Sequence, residues 1–299
     1  MFFDEENQFE PGPFNLVFVA LRWTFTMKCV VDSNYLRDER LQTYLSASPH
    51  NIAILTDYAA MEALKGDALV GMYESMKILA RYPSQVQILK TTLVACGLSG
   101  VGKGLQRRLV NVPLTSEFGL FCKNLAAAHS GSTPLASQLR SLGVEARAHL
   151  ARVEADARGF ADASVEVARL FSPQERHDIV HAHRYTENLM RKLIFNVMHL
   201  SAVIFDRHPS VRRLPSSTEL FNTYIFRSSL CVLLLAFDYA LVGGVAGKST
   251  ARIRNDMVDS HFATYATFFD GLLSKDVRSN WLYRMTAIVL SRFQVTYSR

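Results

Sequence analysis

Helical periodicity runs almost unbroken from about residue 65 to residue 250, and short β-branched runs that could pair into a sheet lie only towards the two ends. The early runs are "KCVVDSN" and "NIAILTDY", and the late ones are "GLLS" and "QVTYS". A sheet built from such distant pieces is joined by long crossovers, which makes it parallel and covers its faces with helices. The expected fold class is therefore α/β: a central parallel sheet flanked by helices, with a large all-helical insertion in the middle of the chain. Residues 27–66 and 251–299 are expected to form the α/β core and residues 67–250 the helical insertion, with 1–26 an N-terminal extension. Helices are read in "MYESMKILARY", "QVQILKTTLVAC", "ARAHLARVEADARGFADASVEVARLF", "ENLMRKLIFNVMHLSAVIF" and "ELFNTYIFRSSLCVLLLAFDYALV". They are separated at Pro83, Ser130 to Pro134, Ser172-Pro173 and Pro209 to Pro215.

A chain of 299 residues, 49% hydrophobic and 20% charged, can bury a substantial core, which excludes a disordered or fibrous class. No run reaches the roughly 18 uninterrupted apolar residues of a membrane span, so no membrane is expected as a partner. "FNLVFVALRW" lacks the basic lead and small-residue cleavage site of a signal peptide. The leader "MFFDEENQFEPGPF" reads as an appendage, and Met27, opening "MKCVVDSN", is the expected natural start. Cys29, Cys96, Cys122 and Cys231 form no C-x-x-C pair, which fits buried thiols in a reducing cytoplasm. The net charge of +6 permits a polyanionic partner without locating one.

Two glycine loops invite a nucleotide-binding reading. In "GGVAGKST" Val242 stands where the first glycine of a phosphate loop belongs, five residues before Gly247. In "GLSGVGKG" the interval is right, but Gly104 replaces the hydroxyl that would hold magnesium. "LLLAFD", ending at Asp238, is shaped like the strand and acid of a Walker B element but lies in a helix-compatible run. All three read as ordinary helical or turn sequence.

Four carboxylates recur at element boundaries: Asp32 after the first strand, Glu62 on the helix after the second, Asp259 on a late helix and Asp276 after "GLLSK". Parallel strands align their carboxyl ends, so acids that follow them project from one rim. Clustered carboxylates raise one another's pKa unless a cation neutralises them, and hard oxygen donors suit Mg²⁺ or Mn²⁺. Singly, each acid also fits a helix cap or turn.

"KCVVDSNYL", "ILTDYAAMEAL" and "NDMVDSHFATYATFFDGLLSKD" resemble, in that order, the motifs of the PIN-domain nucleases. The resemblance covers residues 27–66 and 252–299 and leaves the helical middle unexplained. It implies a divalent-metal-dependent endonuclease that hydrolyses phosphodiester bonds, usually in single-stranded RNA, leaving a 5′-phosphate and a 3′-hydroxyl. Asp32, Glu62, Asp259 and Asp276 would be its metal-binding, catalytic acids, and Mg²⁺ or Mn²⁺ its cofactor. Asp256, three residues before Asp259, shares its helix face and is a candidate fifth ligand. Asn34 and Ser274 could position water or phosphate, and Lys248, Arg252 and Arg254 could hold the RNA backbone. Asp270, which precedes its strand, is read as structural. An inhibitor or antitoxin-type protein is a further candidate partner.

Two other readings stand beside this one. "RHDIVH" pairs Arg176 with His181 at a spacing found in metal-independent HEPN ribonucleases, although His177, His181, His183 and Arg184 also make an ordinary polar helix face. Alternatively the chain is a non-catalytic binding module whose basic stretches "KGLQRRL", "HPSVRRL" and "STARIR" contact nucleic acid or protein.

Overall fold

A computed structural model describes residues 27–100, 102–131, 133–243 and 248–297. The amino-terminal extension with its suggested start, and the middle of "GGVAGKST", lie outside these residues. The fold is mixed α/β with a four-stranded, all-parallel sheet in the order β3-β2-β1-β4. The strands are β1 (Lys28–Val31), β2 (Ile52–Leu55), β3 (Val86–Ile88) and β4 (Gly271–Leu273). The first half of the chain supplies helices α1 (Glu39–Ser46), α2 (Asp57–Leu64), α3 (Ala68–Met76), α4 (Thr92–Cys96), α5 (Gly102–Leu109) and α6 (Val112–His129). The second half supplies α7 (Thr133–Arg169), α8 (Pro173–His177), α9 (Glu187–Arg207), α10 (Ser217–Leu220), α11 (Tyr224–Leu241), α12 (Thr250–Ala266) and α13 (Val277–Tyr297).

β1 is central because its neighbours bury it on both faces: Cys29, Val30 and Val31 are all buried, as the β-branched run demands. Its register against β4 pairs Val31 with Leu273, so Asp32 and Ser274 leave the sheet at the same level. The Asp32 N–H donates to the Leu273 carbonyl at 3.0 Å and fixes that level. One apolar cluster fills the space around the sheet, and a second joins α9, α11 and α13. α11 is long and apolar enough, by composition, to cross a membrane, but it is the core helix of this second cluster, with 72% of its span buried. All four cysteines are buried.

Two stretches differ from the sequence expectation. "QVQILKTTLVAC" contains β3 as well as α4, so the region read as wholly helical contributes an edge strand that pairs with β2. Three residues are too few for periodicity to separate strand from helix, and pairing with a neighbour decides. "QVTYS" is not a closing strand: α13 continues to Tyr297, and Ser298 lies outside the described residues. Leu282, Met285, Val289, Leu290 and Phe293 recur at helical spacing and are all buried in the second cluster, and that continuous apolar stripe outweighs the local β-branched residues.

Candidate functional site

Asp32, Glu62, Asp259 and Asp276 line one cavity of about 190 Å³. Each arrives by a different route. Asp32 follows β1, and Asp276 follows β4 and caps α13, its Oδ1 accepting the Ser279 N–H at 2.9 Å. Glu62 sits on α2, which starts on a Thr56 cap accepting the Ala59 N–H at 3.2 Å. Asp259 lies mid-way along α12, whose cap Ser249 accepts the Arg252 N–H at 3.2 Å. Hollows of about 540 and 690 Å³ beside Asp270 are larger, but neither is lined by these acids. Size therefore does not single out the acidic cavity, and its chemistry does.

The buried Asp32 carboxylate is held from two sides. Its Oδ2 accepts from the Ser274 hydroxyl at 2.5 Å and from the Asn34 amide at 2.7 Å, while Asn34 Oδ1 accepts the Lys275 N–H at 3.0 Å. Asn34 and Ser274, proposed from sequence as direct contacts to substrate or water, thus orient Asp32 and lock the loops after β1 and β4 together. Burial still pushes the Asp32 carboxyl above the ordinary carboxylate range.

The Asp259 carboxylate makes no hydrogen bond to protein among the described residues, and its pKa is pushed up to about 8, first by burial and then by Asp32, Asp276, Asp256 and Glu62. An unfolded chain releases that proton near 3.8, so between the two values the folded state binds more protons and stability falls as pH rises. Without divalent cation, Asp259→Asn is expected to stabilise the protein at about pH 9 and to match wild type near pH 4. Urea midpoints at the two pH values check this, and an equal gain at both would mean that the ionised carboxylate is not its source.

The carboxylates share a cavity without closing into a cage: among the described residues no three His, Cys, Asp or Glu side chains stand close enough to hold a metal ion. Like charges that share a cavity lean on other partners. Glu62 pairs with Lys65 at 2.5 Å, a residue the sequence reading missed although it stands three positions along the same helical segment. Lys65 and Asn255 line the cavity beside the acids.

Asp256 departs from its expected role. It faces away from the cavity, accepting from Tyr239 Oη at 2.7 Å and pairing with Arg278 at 2.8 Å, and is only 3% exposed. Arg278 also pairs with Asp238, so the supposed Walker B acid is a helical residue in an ion network. Three positions on a helix turn a side chain by about 300° rather than a full circle. That offset sends Asp256 under α11 and leaves Asp259 over the sheet. Arg252 reaches Asp256 at 3.7 Å, and Lys248 lies over the Tyr239 ring at 4.1 Å. Both thus belong to this network rather than to the cavity lining. Arg254 pairs with Glu154 at 2.8 Å and donates to Asn255 at 2.8 Å, which puts it beside the cavity edge. Asp270 accepts the Lys28 N–H at 2.7 Å and ties β4 to the start of β1.

The rival Arg/His motif has a structural occupation. Arg176 donates to the Ala168 and Phe171 carbonyls at 3.0 and 2.6 Å, closing the end of α7. Neither it nor His181 lines the acidic cavity. No family model matches the chain, and no curated protein or solved structure is significantly similar to it.

Proposed function

We propose that this chain is a PIN-like, divalent-metal-dependent endonuclease acting on single-stranded RNA. The observation that carries the reading is the convergence of Asp32, Glu62, Asp259 and Asp276, from both ends of the chain, on one cavity. The donor set suits Mg²⁺ or Mn²⁺ in kind: all four are hard oxygen donors, and a bound cation would offset the burial and the neighbouring acids that raise the Asp259 carboxyl. A cavity near 190 Å³ has room for an ion and a phosphate oxygen.

Such an ion supplies an acidified water and charge stabilisation at a phosphodiester. The chain's own groups do the rest. Ser274 and Asn34 keep Asp32 in one orientation, and Asp276 is fixed by the start of α13. Lys65 brings a half-exposed ammonium to the cavity mouth, where it can leave Glu62 for an incoming phosphate. Cleavage in line leaves a 5′-phosphate and a 3′-hydroxyl.

Cleavage of a single-stranded RNA is expected with Mn²⁺ and not in EDTA. At pH 8, Mn²⁺ should also raise the melting temperature of the wild type, because an ion bound only by the folded state stabilises it by mass action, and should do so much less for Asp32→Asn. Cleavage that persists in EDTA would overturn the proposal.

A further inference from the structure

Arg108 and Arg212 belong to two separate basic stretches, 104 positions apart in sequence (212 − 108), yet they line one groove of about 500 Å³. Arg213, Ser99 and Ser210 complete its polar wall, and it shares no residue with the acidic cavity. Two glycines let the segments close on each other. A Cβ at Gly97 would run into the Ser210 carbonyl oxygen, and one at Gly100 into the Arg108 guanidinium. Gly100 also has φ +150°, a backbone conformation that L side chains rarely adopt.

The charge in the groove is neutralised only in part from within. Arg213 is pinned by Glu219 at 3.1 and 3.2 Å, but Arg108 and Arg212 are exposed and have no acidic partner among the described residues. Cations gathered around one hollow repel, and an anion between them relieves the cost. Guanidinium groups match phosphate oxygens in a planar, two-pronged geometry.

The glycine loop beside the groove begins with amides that are already used. Gly97 N–H and Leu98 N–H already donate to the Val94 and Ala95 carbonyls, each at 3.1 Å, closing the end of α4. The groove's positive charge comes from side chains distributed along it, which suits successive phosphates on a chain.

We infer that the Arg108–Arg212–Arg213 groove binds the phosphodiester backbone of single-stranded RNA, at a site distinct from the acidic cavity. The choice of an RNA strand over another phosphate polymer rests on the nuclease reading, whereas the groove's affinity for phosphate does not.

The test is fluorescence anisotropy of the full chain with a labelled oligouridylate of about 20 nucleotides, in EDTA, across a salt series. Each phosphate contact on a single strand contributes about 0.7 to the slope of log affinity against log salt. Arg108→Gln/Arg212→Gln should therefore weaken binding roughly tenfold at about 0.1 M salt and flatten the slope by about 1.4. Neither arginine holds another residue, so the melting temperature should not move. Arg140→Gln/Arg152→Gln changes net charge equally on exposed positions of α7 and should leave the slope alone.

An unchanged slope in the groove variant, an equal loss in the α7 variant, or displacement of RNA by ATP at equal concentration would overturn the inference. Added Mn²⁺ reads cleavage in the same samples. Arginine-dependent binding without cleavage would leave the groove standing and sink the nuclease reading, and cleavage with an insensitive slope would do the reverse.

Discussion

Purified Asp32→Asn is expected to cleave single-stranded RNA on the order of 10³-fold more slowly than wild type, the scale set by removing one preorganised charge-stabilising group. Its fold should survive. Asp32 is buried, its carboxyl is held above the usual range by that burial, and a neutral amide of the same shape escapes the desolvation cost of the ion and the repulsion of Asp259. Asp276→Asn is the matching variant. Asn is as good a helix cap as Asp, so α13 keeps its start while the cavity loses a charge. Alanine at the same position would confuse the two effects. Wild-type turnover by either purified Asn variant, with the melting temperature intact, means that the carboxylates do not carry out the chemistry.

Asp256→Ala is expected to do the opposite: to destabilise the protein by about 3–5 kcal/mol, as when one partner of a buried ion pair is removed, while activity per folded molecule stays close to wild type. At 3% exposure the Asp256 carboxylate is barely screened by solvent, and its loss strands the Tyr239 hydroxyl and one prong of Arg278. A shift of the urea midpoint with an unchanged slope measures this. Full stability together with lost cleavage would return Asp256 to the set of catalytic acids. Asp256 and Asp259, three residues apart on α12, thus have separate surroundings: one is held in an ion network and the other lines the acidic cavity.

That separation was not legible in the sequence. Asp256 and Asp259 share a helix and a spacing, and only the packing of α11 against α12 shows that one faces Tyr239 and Arg278 while the other faces the sheet. Lys65 was equally hidden, because a lysine that follows a helical glutamate reads as a solvated pair until Glu62 is seen to line a cavity. The Arg176 motif shows the converse. Its residue types suit catalysis, while its Nη1 donates to the carbonyls at the end of α7.

By itself the sequence determined the α/β class, the amino-terminal strands, the late strand at Gly271–Leu273 and, of the four acids, the places of Asp32 and Asp276 just beyond strands and of Glu62 and Asp259 on helices. These follow from local periodicity and from polar residues that interrupt apolar runs. Tertiary structure alone decided that Val86–Ile88 becomes an edge strand, that α13 absorbs the final β-branched residues, that Asp256 is buried in an ion network and that Arg108 and Arg212 line one groove. The physical reason is the same in each case. Pairing, burial and charge interaction depend on neighbours through space, and those neighbours come from segments far apart along the chain.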